Sequence, residues 1–385
     1  MTSLAEALRV HGPKFLAELP HPLSDSLVQI ARVINLIPLC RTGELGGVRY
    51  QCDGCNREHW VGRSCGNRHC ASCGHEKSQQ WIDKQRKKRL PVTHFLVTFT
   101  VPRELALVLR GRQRDGYRCL FDASSQSLRD VGSATKSLKG CQLGFFGVLH
   151  TWGRDLQTYH PHIHYVVPGG GVQVDEQGRA LHWQSTPENF LFHHSTIARV
   201  YQAKLADALR EADLYDQVPA HVWQQKFVVD IQPVGDGQAT VNYLAAYVQR
   251  VAISDKRIVA VDSHHVTYTV TPSKTKKSIQ HTISGDKFVK AFAQHILPKG
   301  FQKIRYYGWM SPNSRVSWEE VKLLLWLYLG WTYWLASGHA PQEKPRSAQP
   351  HCSHCGGRLR VVEIKYDPLY LPRPPPKILF KQEAP

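Results

Sequence analysis

Hydrophobic residues recur at helical spacing near the start of the chain. In LSDSLVQIARVINLI (residues 23–37) apolar positions return every three or four residues, which is the period of one buried helix face. Ser24 and Asp25 stand where an N-cap belongs. We therefore predict a helical region over residues 1–45.

Strand patterns begin beyond residue 90. Apolar and polar residues alternate in VTHFLVTFT (92–100), and FFGVLHTW (145–152) and HIHYVVPGGG (162–171) form a second strand pair joined by a polar loop. Further strands are predicted in KFVVDIQPV (226–234) and RIVAVDSHHVTYTVTPS (257–273), and helices over 102–110, 190–211 and 240–250. The centre of the chain is therefore predicted to be an α+β fold with a mixed sheet and helices.

One segment is apolar enough to suggest a membrane. The stretch 321–336 (VKLLLWLYLGWTYWLA) is shorter than the ~20 residues that a membrane span needs, and it contains Lys322. We interpret it as a buried amphipathic helix, with membrane contact as the alternative. The Pro-rich stretch near the end, YLPRPPPKILFKQEAP, is expected to be extended.

The composition adds a strong positive charge. There are 49 Lys and Arg against 31 Asp and Glu, a formal net charge of +18, and the isoelectric point is near 9.5. Such a balance favours a polyanionic partner, either nucleic acid or an anionic membrane surface. Hydrophobic residues make up 42% of the chain, which excludes wholesale disorder, and 385 residues predict two or three domains.

The ten cysteines are clustered. Six of them form Cys-x-x-Cys pairs, where random placement predicts roughly 0.3 such pairs. The first residues, MTSLAEALRV, do not resemble a signal peptide, so we expect a cytoplasmic protein whose thiolates bind metal.

The first two pairs, Cys52/Cys55 and Cys70/Cys73, follow each other at close to the spacing of a structural four-cysteine zinc site. Cys65 and His69 lie between the pairs and are possible further ligands, as are His59 and His75. The alternative is that the cysteines are buried by chance. The third pair, Cys352/Cys355, is half of a zinc ribbon, with His351 or His354 as possible partners. The other half is not visible nearby.

Three histidines suggest a second kind of metal site. His162 and His164 are two residues apart in a predicted strand and therefore face the same way. His150, on the preceding strand, can be brought to the same face by a hairpin. Three imidazoles leave coordination positions open, as in a catalytic site. The alternative is that they are hydrogen-bonded core histidines.

Tyr243 and Tyr247 are four residues apart, which places both on one face of a short helix. The pair alone has little weight, because 15 tyrosines predict roughly 0.6 such pairs by chance. It is equally compatible with packing between a helix and a sheet.

Taken together, these motifs resemble one family. HTWGRDLQTYHPHIHYVVPGGG and YLAAYVQRVAIS are similar to the core motifs of the rolling-circle transposases of the insertion sequence 91 family, which belong to the HUH (histidine-hydrophobic-histidine) endonucleases. CDGCNREHWVGRSCGNRHCASCG resembles the N-terminal zinc domain of that family, and LPKGFQKIRYYGWMS a segment near the end of its nuclease region.

The resemblance implies a ferredoxin-like nuclease core with an N-terminal zinc-binding domain. His162 and His164 would hold a catalytic Mg²⁺ or Mn²⁺, with His150 as the third ligand, and Zn²⁺ would be structural. Tyr243 and Tyr247 would be the nucleophiles that cut and rejoin single-stranded or hairpin DNA at transposon ends and target through a 5′-phosphotyrosine. The protein would be cytoplasmic in a bacterium and associated with the nucleoid.

Basic residues are the candidates for DNA contact. A predicted basic helix carries Lys84, Arg86, Lys87, Lys88 and Arg89. Arg250 follows the tyrosine helix in the sequence, and Lys274, Lys276 and Lys277 lie in a later loop. A solvated helix face explains the first five equally well.

We divide the chain into a helical region (1–45), a zinc-binding domain with its basic helix (46–90), a nuclease core (91–312), a helical segment (313–350) and a Cys-x-x-Cys knuckle with a Pro-rich tail (351–385). Alternatives to a transposase are a plasmid replication initiator or relaxase of the same chemistry, or a non-catalytic zinc-dependent nucleic-acid-binding protein. A zinc hydrolase would need a carboxylate partner close to the histidines, and the sequence lacks the expected one.

Overall fold

The computed structural model describes residues 2–75, 81, 90–236, 252–272, 275, 277–332 and 350–366. The helices in this part of the chain are α1 (Leu4–Ala17), α2 (Asp25–Leu36), α3 (Arg103–Gly111), α4 (Gln113–Ala134), α5 (His194–Glu211), α6 (Gly285–Ala293) and α7 (Trp318–Leu329). The strands are β1 (Gly46–Cys52), β2 (Glu58–Gly62), β3 (Thr93–Thr100), β4 (Cys141–Gln142), β5 (Phe145–Trp152), β6 (Tyr159–Pro168), β7 (Gly170–Val174), β8 (Ala180–Ser185), β9 (Val229–Asp236), β10 (Ile258–Val261), β11 (His265–Val270), β12 (Ile279–Ser284), β13 (Ile304–Tyr307) and β14 (Leu359–Tyr366).

The central sheet has five strands in the order β13-β5-β6-β3-β9, and all neighbours are antiparallel. The predicted strands at 92–100 and 145–152 are confirmed as β3 and β5, and β6 starts three residues before the predicted position. β9 contains Pro233, which lacks a backbone N–H and is tolerated because β9 is an edge strand. The α+β class is confirmed by these elements, whereas the predicted mixed sheet is wrong, because every neighbouring pair in the central sheet is antiparallel.

The two faces of the central sheet differ. Helices α3, α4 and α5 cover one face, where the rings of Phe99 and Tyr201 meet edge to face with centroids 4.9 Å apart. The opposite face carries an apolar patch of Leu96, Phe146, Val148 and Val166, on which Trp81 packs. Beyond this patch, along the same strands, the residues on this face are polar, because side chains two apart in a strand point the same way.

Helix α4 was not predicted, because Gly and Ser interrupt its hydrophobic pattern. Its buried small residues include Gly116, Ser124 and Ser127. Ser124 and Ser127 donate side-chain hydrogen bonds to the carbonyls of Leu120 and Ala123 in the preceding turn. Small residues lower helix propensity, but they let this helix pack closely between the sheet and α5.

The predicted N-terminal helices pack against a later part of the chain. α1 and α2 share a core with α6 and with the three-stranded sheet β10-β11-β12. Gly285, the first residue of α6, allows this approach, because a Cβ there would lie 2.0 Å from Nδ1 of His11 on α1. The N-terminal helical region is therefore joined to the second half of the molecule.

Helix α7 corrects the prediction of a buried amphipathic helix at 321–336. It begins with a capping box formed by Ser317 and Glu320 and ends at Leu329. Only Val321 and Leu325 are buried, one turn apart, whereas Leu327 is 65% exposed. Residues 333–336 lie outside the described part of the chain. None of the described helices is both long enough and apolar enough to cross a membrane.

A separate three-stranded sheet has the order β14-β1-β2. β14 pairs antiparallel with β1, with Gly46 opposite Tyr366 at one end and Cys52 opposite Leu359 at the other. This sheet joins two segments that the sequence assigned to different domains, residues 46–90 and 351–385. The five-segment division itself stays a prediction.

Candidate metal centres and active site

The β5–β6 hairpin brings the three predicted histidines together. His150 lies directly opposite His162, and His164 lies opposite Val148, so all three imidazoles project from the polar end of the same sheet face. Their ring centroids are 4.7 Å apart for His162–His164, 5.0 Å for His150–His164 and 5.5 Å for His150–His162.

This cluster has the dimensions of a metal site. One ring nitrogen of each histidine lies within 4.8 Å of the others. Nitrogens bound at ~2.1 Å to one ion are at most about 4.2 Å apart, so the imidazoles need to move by less than about 1 Å to share an ion. Neutral imidazole is a common metal ligand, and the donor set therefore fits a divalent cation.

Hydrogen bonds orient the two motif imidazoles. Nδ1 of His162 lies 2.7 Å from the carbonyl oxygen of His160, and a carbonyl can only accept. Nδ1 of His162 therefore carries the proton and Nε2 the lone pair. Nδ1 of His164 lies 2.9 Å from the hydroxyl of Thr98 on β3. Such bonds to the second ring nitrogen are typical of metal-binding histidines.

The third imidazole, that of His150, stacks on an aromatic ring. His150 is 2% exposed and stacks on Trp152, with centroids 4.8 Å apart and planes 21° apart. The ammonium of Lys303 lies 5.3 Å from the centre of the Trp152 ring, within the range of a cation–π interaction. Lys303 therefore contacts the aromatic ring on which His150 stacks.

The loop between β5 and β6 is anchored to the β10-β11-β12 sheet. The carboxylate of Asp155 accepts a hydrogen bond of 2.7 Å from the hydroxyl of Tyr268 and lies 3.1 Å from Nδ1 of His281. Arg257 donates to the carbonyl of Arg154 at 2.9 Å. Asp155 therefore bonds to the neighbouring sheet, and these contacts fix the hairpin that carries the histidines.

A first four-cysteine cluster consists of Cys40, Cys65, Cys70 and Cys73. The Sγ–Sγ distances are 3.7 Å for Cys40–Cys73 and for Cys65–Cys73, and 3.8 Å for Cys40–Cys70. Thiolates bound tetrahedrally to Zn²⁺ at ~2.3 Å lie about 3.8 Å apart, so the spacing fits zinc. Hydrogen bonds from Cys65 and Cys70 lower the pKa of Cys40 to about 7.

A second four-cysteine cluster consists of Cys52, Cys55, Cys352 and Cys355. The Sγ–Sγ distances are 3.4 Å for Cys52–Cys355 and 3.7 Å for Cys55–Cys352. Backbone N–H groups, that of Cys355 first, lower the pKa of Cys352 to about 5. His59 lies beside this cluster, with Nε2 3.2 Å from Sγ of Cys352.

The predicted zinc quartet of Cys52, Cys55, Cys70 and Cys73 is therefore wrong, because the two pairs belong to different clusters. Strands β1 and β2 carry Cys52 and Cys55 towards β14, while the chain after β2 folds back onto the end of α2 near Cys40. The missing ligands were a lone cysteine, Cys40, and a pair near the other end of the chain. Cys40 has no local spacing signal, so sequence reasoning missed it.

The candidate histidine ligands near these clusters are also placed. His69 is not a ligand: it is buried and Nε2 accepts a hydrogen bond of 3.3 Å from the N–H of Leu297. Burial, and then the charge of Arg68, lower the pKa of His69 to about 3. His75, His351 and His354 are exposed and lie outside the clusters.

Some predicted site residues lie outside the described part of the chain. These are both tyrosines and all but one of the predicted DNA-binding residues: Tyr243, Tyr247, Lys84, Arg86, Lys87, Lys88, Arg89, Arg250, Lys274 and Lys276. Lys277 is described, and it is exposed just before β12. Thr98 is a contact of the site that sequence reasoning missed, since only the pairing of β3 with β6 brings it to His164.

Comparison with known proteins supplies the family. Residues 144–317 match a family model described as "Putative transposase", and residues 7–101 match one described as "Transposase zinc-binding domain", of the insertion sequence 91 type. The first region contains the histidine cluster, and the second contains Cys40, Cys65, Cys70 and Cys73. No solved structure gives a significant match to the chain.

Two named relatives are transposases. The protein named "Putative transposase y4qJ" from Sinorhizobium fredii is 31% identical over 338 residues, which cover 81% of each chain. The "Transposase for insertion sequence element IS801" from Pseudomonas savastanoi pv. phaseolicola is 29% identical over 298 residues, which cover 74% of this chain and 70% of that protein. The chain therefore belongs to the insertion sequence 91 family of transposases.

Proposed function

We propose that this transposase nicks and rejoins single-stranded DNA through a 5′-phosphotyrosine intermediate. The observation that carries the proposal is the convergence of His150, His162 and His164 on one face of the central sheet. A cluster of neutral nitrogen donors at the polar end of a sheet face suits an ion that must also contact phosphate oxygens.

The strand order supports an HUH nuclease core of the ferredoxin-like type. Along the chain, β3 is followed by α3 and α4, then by the β5–β6 hairpin, α5 and β9. In space these strands lie in the order β9-β3-β6-β5, with helices on one face. This order supports the proposed βαββαβ, ferredoxin-like core, extended by β13 at one edge.

His162, His164 and His150 would hold the catalytic Mg²⁺ or Mn²⁺. When bound, such an ion would polarise the scissile phosphate and offset the charge that develops in the transition state. The chain prepares the site by fixing the imidazoles: Thr98 and the His160 carbonyl bind the Nδ1 atoms, and Trp152 stacks on His150.

Tyr243 and Tyr247 are the proposed nucleophiles. A tyrosine hydroxyl has an ordinary pKa near 10 and must lose its proton, here to solvent, before it attacks. The phenolate oxygen forms a bond to phosphorus while the bond from phosphorus to the 3′ oxygen breaks. That oxygen takes up a proton and leaves as a free 3′-hydroxyl. The phosphodiester energy is kept in the protein–DNA bond, so rejoining needs no ATP.

Single-stranded or hairpin DNA is the proposed substrate, because an unpaired strand gives a scissile phosphate access to a site on a sheet face. The net charge of +18 favours such a polyanion. Lys84, Arg86, Lys87, Lys88, Arg89, Arg250, Lys274, Lys276 and Lys277 are the proposed backbone contacts.

A structural zinc is proposed for Cys40, Cys65, Cys70 and Cys73. These four thiols lie within the matched zinc-binding domain and have the spacing of a closed tetrahedral site. We place the protein in the bacterial cytoplasm, in association with the nucleoid. A replication initiator or relaxase would use the same chemistry, and DNA specificity distinguishes it from a transposase.

A covalent-adduct assay tests the proposal. The protein is incubated with Mn²⁺ and end-labelled single-stranded oligonucleotides that span candidate element ends, and a protein–DNA adduct is sought on a denaturing gel. We expect an adduct that forms only with divalent metal. Binding without any adduct at any end sequence would support the non-catalytic alternative.

Matched variants assign the residues. His162→Ala with His164→Ala should abolish the adduct, whereas His221→Ala, an exposed histidine on another surface, should not. Tyr243→Phe with Tyr247→Phe should also abolish the adduct, with Tyr328→Phe on the exposed side of α7 as the control. An adduct that survives the double tyrosine change would refute the nucleophile assignment.

A further inference from the structure

The second cysteine cluster is built from two copies of the same backbone turn. Residues 52–57 and 352–357 each contain Cys-x-x-Cys followed by a residue with positive φ, Asn56 at +58° and Gly356 at +73°. In the first turn the N–H of Cys52 donates to the carbonyl of Arg57 at 2.9 Å, and in the second the N–H of Cys352 donates to the carbonyl of Gly357 at 2.8 Å.

Backbone N–H groups also point at the sulfur atoms in both turns. The N–H of Gly54 lies 3.3 Å from Sγ of Cys52, and the N–H of His354 lies 3.4 Å from Sγ of Cys352. Such N–H···S bonds stabilise the thiolate form, which is the form that binds metal. The two turns therefore have the geometry of a pair of zinc knuckles.

The knuckles face each other at the distance that one ion requires. The Sγ–Sγ distances of 3.4 and 3.7 Å between the turns compare with about 3.8 Å in a tetrahedral zinc–thiolate site. They are far longer than the ~2.05 Å of a disulfide bond. Glycine at 357 keeps the turns close, because a Cβ there would lie 3.0 Å from Sγ of Cys52.

The apolar surface buried in this sheet is too small to stabilise it without another contribution. Its buried core contains only Cys52, Cys352 and Leu359 among the described residues, and the outward-facing Val61, Val361 and Ile364 are 48–53% exposed. A domain with so little buried apolar surface needs a metal or another cross-link for stability. The pairing of β14 with β1 therefore requires a further source of free energy.

We propose that Cys52, Cys55, Cys352 and Cys355 bind one zinc ion and form a split zinc ribbon, in which two distant segments of the chain each supply half of the ligands. This site is separate from the cluster of Cys40, Cys65, Cys70 and Cys73. Cys52 and Cys55 lie within the matched zinc-binding region, residues 7–101, whereas Cys352 and Cys355 lie outside it. Four thiolates fill the coordination sphere of zinc and leave no position for a substrate, so the role of this site is to stabilise the pairing of β14 with β1. The inference does not depend on the proposed nuclease chemistry.

Metal content of the full chain is the first test. We expect two zinc ions per wild-type chain by elemental analysis, and one in Cys352→Ser with Cys355→Ser. The matched change at the other cluster, Cys65→Ser with Cys70→Ser, should also leave one. A wild-type chain with a single zinc, or a Cys352/Cys355 variant that keeps two, would overturn the proposal.

Alkylation of the wild-type protein keeps the test valid if a variant does not fold. Iodoacetamide labelling followed by mass spectrometry is carried out while a chelator gradually removes zinc. Cys52, Cys55, Cys352 and Cys355 should become reactive together, and at a chelator concentration of their own. If Cys352 and Cys355 react before any zinc is released, or if the four are found as disulfides, the shared site is excluded. The adduct assay is independent of either outcome.

Discussion

The hydroxyl of Thr98 lies 2.9 Å from Nδ1 of His164, across the β3–β6 pair. This contact joins strand β3 to the histidine motif, and it restrains the rotation of the ring of one proposed metal ligand. Partners of this kind typically change metal affinity by 10- to 100-fold when they are removed.

Thr98→Val is therefore expected to raise the Mn²⁺ concentration needed for half-maximal adduct formation by about 10- to 100-fold. Thr100→Val is the matched control, because Thr100 lies on the same strand and its hydroxyl binds the carbonyl of Val228 instead. Equal effects of the two substitutions would show that the Thr98 hydroxyl does not orient His164.

His150→Ala tests the choice of the third ligand. With only two imidazoles left, the apparent affinity for Mn²⁺ should fall by at least about tenfold. His182→Ala, an exposed histidine on β8, should leave it unchanged. Thermal melting in the absence of divalent metal separates this effect from instability, since His150 is buried. An unchanged Mn²⁺ dependence would place the third ligand elsewhere.

Zinc binding in the first cysteine cluster is tested through Cys40. Cys40→Ser should lose one zinc ion under competition by a chelator, since the oxygen of serine is a poor substitute for a thiolate. Cys119→Ser is the control: Cys119 is buried, its thiol donates to the carbonyl of Ala208, and it belongs to neither cluster. Retention of both ions in the Cys40 variant would contradict the four-thiolate site.

Helix α7 offers a pair of leucines for a test of packing. Leu325 is fully buried in a cluster with Trp309 and Trp183, so Leu325→Ala should lower the free energy of unfolding by about 2–5 kcal/mol. Leu327 is 65% exposed, and Leu327→Ala should change it by less than about 0.5 kcal/mol. Urea denaturation of both variants measures the difference. Similar losses would mean that another surface covers Leu327.

Stability should depend on pH through His295. Burial lowers the pKa of His295 to about 4, below its ordinary value of 6.5. Between these values the unfolded chain binds a proton that the folded chain does not, so the free energy of unfolding should fall as pH falls, by up to about 1.4 kcal/mol per pH unit. His295→Gln should reduce this slope between pH 6.5 and 4, as measured by urea denaturation, and the buried His69, whose pKa is also lowered, should account for a further part of it. An unchanged slope would assign the pH dependence to other groups.

Local patterns in the sequence were sufficient for parts of the fold and the site. Strand β5 follows from a short run of apolar and aromatic residues, and the shared face of His162 and His164 follows from the two-residue period of a strand. Both signals depend only on neighbouring residues. The position of His150 beside them was predictable as well, because a hairpin is a short-range structure. Helix α4 was missed because its serines and glycines serve close packing with α5 and the sheet, which no local pattern reveals.

The cysteines show where local spacing misleads. Two Cys-x-x-Cys pairs that follow each other closely in the sequence suggested one site, but each knuckle needs a partner at the right distance in space. Cys70 and Cys73 are completed by Cys40 and Cys65, whereas Cys52 and Cys55 are completed by Cys352 and Cys355. Strand pairing decides between these partners, and it is a property of the whole fold.

The split ribbon also has a consequence for biosynthesis. Cys55 and Cys352 are 297 residues apart, so a ribosome that adds ~5–20 residues per second delivers the second knuckle about 15–60 s after the first. During this interval the first knuckle lacks Cys352 and Cys355, the partners that it has in the folded chain. The edge of β1 that pairs with β14 therefore stays unpaired during this interval. It can pair only after translation has reached β14.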